Sequence, residues 1–259
     1  MSTAVQSLVL ITRPLPKGQE LGALLKTAGI DSLIAPAFEI QLREGNYLRE
    51  YRQFLQAPDL CLIFPSVNAV VGFMQGLQSA ALSFPAQAMC IAVGPATAEA
   101  LKVHGANNIS RSKGITSEAL LALPEIQQAA NSSANIAIIA APGGRDLIEK
   151  TLQSRGYTVQ KITVYKRHTL ALPTEANSII ASQISLNSVF TSSLALKVAF
   201  TEWPEQIAAK LIKGQALVLS KRLQKQALEY GIKTVRVSSA TDNLSICAQI
   251  VQQIGASAR

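Results

Sequence analysis

Six times along the chain a short run of consecutive apolar residues gives way to a small or hydroxylated turn and then to a helical pattern. The segments are "LVLITRPLPKGQELGALLKTAGI", "LCLIFPSVNAVVGFMQGL", "CIAVGPATAEALKVHGA", "IAIIAAPGGRDLIEKTLQSRGY", "SVFTSSLALKVAF" and "ALVLSKRLQKQALEYGI". Unbroken apolar runs of strand length predict parallel strands covered on both faces, and their alternation with helices predicts an α/β protein made of βα units. Gly29, Gly105, Gly156 and Gly231 each follow a helical stretch, where the left-handed residue that closes a helix is most easily glycine.

The units repeat. Ile11 and Ile139 lie 128 positions apart, Phe64 and Phe190 lie 126 apart, and Leu101 and Leu228 lie 127 apart. The chain therefore reads as a duplication, three units to each half, carried by pattern more than by identity. Between the first and second units of each half runs a long extended segment, 31–42 and 157–170. Strands average about five or six residues, so these segments predict strands that leave one sheet for another body. Pro36, which cannot donate to a ladder, marks where the first sheet must end. The expectation is two domains in an interleaved chain: 1–36 with 170–259, and 41–163, linked by extended strands at about 36–41 and 163–170.

Composition narrows the class. With 259 residues, 48% hydrophobic and 15% charged, the chain can bury two cores and is not a disordered sequence. No apolar stretch reaches the roughly 20 residues that cross a bilayer, and the start lacks the basic-then-apolar pattern of a secretory leader, so a cytoplasmic protein without a membrane partner is expected. Cys61, Cys90 and Cys247 are odd in number and form no C-x-x-C, which predicts reduced core thiols. The net charge of +8, from 24 Lys and Arg against 16 Asp and Glu, would draw an anionic partner. Nucleic acid is disfavoured, because no five basic residues run together and aromatic residues make up only 5%. A small polyanion fits as well.

Ligands of parallel α/β sheets sit beyond the carboxyl ends of the strands, where helix N-termini present free N–H groups. The candidate turns hold Thr12 and Arg13; Ser66 and Asn68; Gly94, Pro95 and Thr97; Gly143, Gly144 and Arg145; Thr191, Ser192 and Ser193; and Ser220 with Lys221. Thr116 and Ser117 open a further helix. Taken singly, each hydroxyl is first a helix cap. Taken together, the turns would face one cleft if two such domains opposed each other, offering many amide donors to an anion. Neither a dinucleotide fingerprint nor a P-loop is present. His104 and His168, the only histidines, begin no metal-ligand spacing, so no metal site is expected. There is no nucleophile elbow either. Tyr165, in "TVYKRH", is the one plausible acid on the predicted bridge, although a tyrosine on a ribbon is more often there for packing.

These residues resemble the uroporphyrinogen-III synthase family across nearly the whole chain. "VLITRP" followed by "LGALLKTAGI" resembles its opening, "LIFPSVNAV" its second unit, and "AVGPATAEAL" with "ITSEALLAL" its most recognisable pair of segments. "GGRDLIEKTLQSRGYTVQKITVYKR" is similar to its fourth unit and tyrosine-bearing bridge. The resemblance implies two similar α/β domains of flavodoxin-like type, with parallel sheets flanked by helices, an interleaved chain and a joining two-stranded β ladder. It implies a flexible monomer without cofactor that closes hydroxymethylbilane, a linear tetrapyrrole, into uroporphyrinogen III with loss of water and inversion of the terminal ring. By position Tyr165 matches the tyrosine proposed to assist departure of the hydroxyl, and Thr97 a cleft threonine. Ser66, Gly94, Gly143, Gly144 and Thr116 match cleft-lining turns, whereas "VLSKRL" departs from the Gly-Pro-Thr-like turn of many relatives. Two rival readings are a non-catalytic two-lobed protein that closes on a small polyanion and a nucleotide-dependent transferase. The latter predicts stabilisation by nucleotide, and none is expected.

Overall fold

The computed structural model describes residues 8–112, 117–124, 126, 135–143, 147–184 and 186–257. Its chain divides into two compact units, one of Met1–Glu39 with His168–Arg259 and one of Ile40–Arg167.

The outer unit carries five parallel strands, β1 (Val9–Ile11), β2 (Ser32–Ile34), β10 (Asn187–Phe190), β11 (Gln215–Val218) and β12 (Thr234–Val237). They form one sheet in the order β12-β11-β10-β1-β2. Renumbered within the unit, this is the 2-1-3-4-5 order of flavodoxin-like folds. The helices are α1 (Lys17–Thr27), α7 (Thr174–Ala181), α8 (Ser193–Thr201), α9 (Glu205–Lys213), α10 (Lys221–Glu229) and α11 (Asn243–Ser257). On one sheet face Val9, Ile11, Val189 and Leu217 pack with Leu21 and Leu25 of α1 and Ile246 and Ile250 of α11.

The inner unit has a second set of five parallel strands, β4 (Leu60–Phe64), β5 (Met89–Ala92), β6 (Ile109–Arg111), β7 (Asn135–Ala140) and β8 (Thr158–Thr163). Their order in the sheet is β6-β5-β4-β7-β8. If counting starts at β7, the order is again 2-1-3-4-5. The inner unit is thus a circular permutation of the outer one, and the repeat in the sequence is a repeat of topology. Register refines the repeat: Ile11 sits opposite Val189 as Ile138 sits opposite Ile63, so the counterpart of Ile11 is Ile138 rather than Ile139. Leu228 is 49% exposed while Ala227 is fully buried; the counterpart of the buried Leu101 is therefore Ala227.

Every residue of β4 is buried, as a strand covered on both faces requires. Leu62 and Phe64 point to one core and Cys61 and Ile63 to the other. Helix α3 (Val67–Ala80) lays Val70, Phe73, Leu77 and Ala80 into the first of these, at the spacing of one helical face. Phe73 meets Phe64 edge to face with centroids 5.6 Å apart. Burying such a ring contributes about 2–3 kcal/mol. The opposite core is closed by α5 (Ser117–Leu121), with Leu120, and α6 (Leu147–Ser154), with Ile148 and Leu152. Among its described residues the unit also carries a 3-10 helix (Tyr47–Tyr51), α2 (Arg52–Leu55) and α4 (Pro95–Val103).

The first long extended segment divides around Pro36 as expected, and the second divides as well. After β2 the chain turns at Ala35–Ala37 into β3 (Phe38–Leu42), and after β8 it continues into β9 (Tyr165–Thr169). β3 and β9 form a separate two-stranded sheet. The bonds from the Arg43 N–H to the Val164 carbonyl and from the Leu170 N–H to the Ala37 carbonyl make it antiparallel. The four predicted helix-closing glycines, Gly29, Gly105, Gly156 and Gly231, have positive φ. Among the described residues no helix is long and apolar enough to cross a membrane.

Candidate active site

In each unit the predicted turns follow parallel strands, so each unit's set shares one sheet edge, the carboxyl edge. In the inner unit Ser66 follows β4, Gly94 follows β5 and Gly143 follows β7. Ser66 is the N-cap of α3, in extended backbone, and its Oγ accepts from the Ala69 N–H at 3.3 Å. Asn68 is half-buried in the first turn of that helix. Gly94 caps α4 through its backbone alone, with Pro95 as the first helical residue, a position where the missing N–H costs nothing. The Gly94 carbonyl receives the Thr97 and Ala98 N–H groups, and Thr97 itself is buried. Gly143 has φ +69° with open space around its Cα, a conformation that disfavours any side chain. Ser117 begins α5. Thr116, Gly144 and Arg145 lie outside the described residues.

Tyr165 is 4% exposed, and its ring is held where β8 hands over to β9. Helix α3 comes close enough there that a Cβ on Gly72 would stand 2.7 Å from the Val164 carbonyl oxygen. Only glycine permits that approach, and it fixes the residue preceding Tyr165. The Tyr165 hydroxyl lies 3.2 Å from the Ser66 Oγ, and the Arg167 Nη2 donates to it at 3.4 Å. A phenol oxygen can accept from a cation and donate its own proton at once.

The outer unit's turns are more committed to structure. Thr12 is fully buried and donates to the Val189 carbonyl at 2.8 Å, tying β1 to β10. Arg13 is 9% exposed; it donates to the Asn243 Oδ1 at 2.6 Å and the Thr241 carbonyl at 3.2 Å. Burial pulls its pKa below the ordinary arginine value, against the raising effect of the charges on Glu20 and Asp242. Ser192 and Ser220 cap α8 and α10, their hydroxyls accepting from the Ala195 N–H at 3.1 Å and the Leu223 N–H at 3.2 Å. Thr191 precedes that first cap and is half-buried. Ser193 Oγ accepts from the Arg222 Nη1 at 2.6 Å. Lys221, the first residue of α10, is exposed.

Four further residues bear on the site, two of them without any turn signature in the sequence. Arg43 and Gln75 line a groove with Tyr165, and nothing in an alternating strand or a helix face announces them. Asp242 and Asn243 open α11, with the Asp242 carboxylate accepting from the Ser245 N–H at 2.8 Å. That backbone bond holds the Asp242 carboxyl below its ordinary pKa. The stretch "TDNLS" before an apolar helix is a legible cap. Among the described residues no group of three His, Cys, Asp or Glu side chains could hold a metal ion.

The family model of uroporphyrinogen-III synthase HemD matches residues 19–247. A uroporphyrinogen-III synthase of Escherichia coli (strain K12) is 32% identical over 241 residues, 91% of this chain and 96% of that relative. One of Proteus mirabilis is 34% identical over 161 residues, covering 61% of this chain and 79% of the relative. In fold the chain is similar to a mutant uroporphyrinogen III synthase of the extremely thermophilic bacterium Thermus thermophilus, at 21% identity and TM-score 0.67 over 97% of this chain and 99% of that one. It is also similar to the uroporphyrinogen-III synthetase of Helicobacter pylori 26695, at 15% identity and TM-score 0.61 over 96% and 99%. A family match that runs through residues of both units leaves one conclusion: the chain belongs to the uroporphyrinogen-III synthase family.

Proposed function

We propose that this chain closes hydroxymethylbilane to uroporphyrinogen III, as a cyclising lyase of tetrapyrrole synthesis, with Tyr165 as the acid that starts the reaction. Family membership supports the activity, and the setting of Tyr165 between Ser66 and Arg167 carries the role. The Tyr165 proton goes to the departing hydroxyl, the C–O bond breaks, and the pyrrole nitrogen's electron pair drives water out to leave an azafulvene. The substituted carbon of the terminal ring attacks this electrophile to give a spiro intermediate. Fragmentation and reclosure invert that ring. Loss of the carbon-bound proton restores aromaticity and returns a proton to the phenolate, so the net change is loss of one water.

Departure of water from a hydroxymethylpyrrole is easy, and the protein's task is to choose between two closures. For this, backbone N–H groups at the carboxyl edges hold the substrate's carboxylates. In the inner unit these belong to the turns that hold Ser66 and Asn68; Gly94 and Thr97, with Pro95 between them contributing no N–H of its own; Thr116 and Ser117; and Gly143, Gly144 and Arg145. In the outer unit, where the hydroxyls are spent on capping, the turns at Thr191–Ser193 and Ser220–Lys221 contribute main-chain donors and positive charge. Thr12 and Arg13 serve the same edge by holding its turns in place. The protein works as a cytoplasmic monomer without metal or organic cofactor, and its positive net charge of +8 draws in the acidic substrate.

The test is product analysis with freshly generated hydroxymethylbilane. Type III isomer formed faster than spontaneous closure is the expected result. Type I product alone, at the spontaneous rate, refutes the proposal and leaves a binder of polyanions.

A further inference from the structure

Beside Tyr165 the inner unit holds an open groove of about 760 Å³, lined by Gln41, Arg43 and Glu44 after and along β3, Gln75 of α3, Pro142 and Lys166 among others. Its floor is made at the carboxyl ends of β7 and β8, where Pro142 and Thr163 emerge. Tyr165 is itself one of the lining residues, whereas Ser66 is not.

Arg43 is exposed, yet its place is set from three sides. Its N–H bonds the Val164 carbonyl at 2.9 Å, its Nη1 reaches the Thr163 carbonyl at 3.4 Å, and its guanidinium lies 4.4 Å from the centroid of the Tyr47 ring. Tyr47 in turn is 5% exposed and anchored by donation from its hydroxyl to the Gly72 carbonyl at 3.0 Å. An arginine that stacks on a fixed ring has given up much of its side-chain freedom in advance and keeps donors free for a planar anion. Among the described residues, none of the ion pairs involves Arg43 or Lys166. Among the described residues of the lining Glu44 is the one carboxylate, beside the two cations Arg43 and Lys166.

We propose that Arg43 and Lys166 form a carboxylate subsite that holds one acidic side arm of the tetrapyrrole in the groove beside Tyr165. Arg43 forks onto the carboxylate, Lys166 supplies a second charge, and the Gln41 and Gln75 amides complete the polar wall. This rests on the proposed synthase activity. Recognition here is by side chains, unlike the backbone donors of the turns, so substitutions read it out directly.

The experiment compares the intact protein with Arg43→Gln, Arg43→Lys and Lys166→Gln, each checked for an unchanged melting temperature. KM for hydroxymethylbilane and Kd for uroporphyrin III, the unreactive octacarboxylate probe, are measured together. Losing a charged donor at an open site is expected to raise both constants about fivefold to tenfold in Arg43→Gln, with a smaller effect on kcat. Arg43→Lys keeps the charge without the fork and falls between. The octamethyl ester of the same porphyrin should bind wild type and Arg43→Gln alike. An active wild type whose KM and Kd are unmoved by Arg43→Gln and Lys166→Gln overturns the subsite. A wild type that yields only type I isomer overturns the synthase reading instead.

Discussion

The Tyr165 hydroxyl stands 3.2 Å from the Ser66 Oγ, joining residues 99 positions apart in the chain. One lies at the corner of β8 and β9, the other at the mouth of β4. Their contact puts the proposed acid beside a helix N-terminus that can stabilise the phenolate left when its proton departs. Tyr165→Phe keeps the ring and removes the proton. The expected result is a kcat lower by roughly tenfold to a hundredfold with type III isomer still the product. Complete loss in a folded variant would assign the side chain a larger part, and an unchanged kcat would remove its acid role.

Arg13 and Asn243 tie the first turn of the outer unit to its last. Asn243 accepts from the guanidinium through Oδ1 and donates through Nδ2 to the Glu20 carboxylate at 2.9 Å and the Lys17 carbonyl at 3.1 Å. Asn243→Ala takes from a buried cation one of its two side-chain hydrogen bonds, which costs about 1–3 kcal/mol. Urea unfolding should show a lower midpoint with the slope unchanged. Arg13→Lys, too short in fork to reach both partners, should lose a similar amount.

Gly72 governs the same corner that carries Tyr165. A Cβ there meets the Val164 backbone oxygen at 2.7 Å, and backbone cannot rotate aside. Gly72→Ala is expected to cost about 1–3 kcal/mol and to lower kcat as well, since Val164 precedes the acid. Stability lost without loss of kcat would show that Tyr165 is held independently of α3.

The thiols and a buried phenol set the alkaline limit. Burial pushes Cys61 and Cys90 up to about 12 from 9.0, and Tyr47 up to about 12 from 10.0 despite the nearby Arg43 charge. In each case the folded protein favours the neutral form. Their contribution is therefore complete below the unfolded values and is lost as pH rises through about 12. The urea midpoint should fall steadily between about pH 9 and about pH 12. At about pH 8 a thiol reagent should leave native Cys61, Cys90 and Cys247 unmodified, all three being buried, and label them once urea is added.

Much of this architecture is legible in the sequence because the strongest signals are local. Unbroken apolar runs such as "LCLIF" can only be strands covered on both sides, and Pro36 cannot lie within a ladder, so β2 must end before it. The edge strands β6 and β12 are missed for the complementary reason. Thr234–Val237 alternates exposed and half-buried positions with a charged Arg236, and its strand character comes from pairing with β11. The site divides the same way. Ser66, Ser192 and Ser220 are caps that a sequence announces. That Ser66 also meets Tyr165, or that the Arg13 side chain donates to Asn243, depends on contacts across 99 and 230 residues. No window of sequence contains both partners.

The chain crosses between its units twice, at Glu39–Ile40 and at Arg167–His168, and both crossings fall within the β3 and β9 ladder. Ile40 to Arg167 is an insertion of 128 residues into the outer unit. Were it unfolded, the outer sheet would have to bring β1 and β10 together against a loose loop of that length, an entropic cost of about 4 kcal/mol. Folded, the guest delivers both of its ends side by side, and the host closes a gap of two neighbouring strands. Damage to the guest is therefore felt by the host without any altered contact, whereas the guest, continuous in sequence, owes the host no such debt.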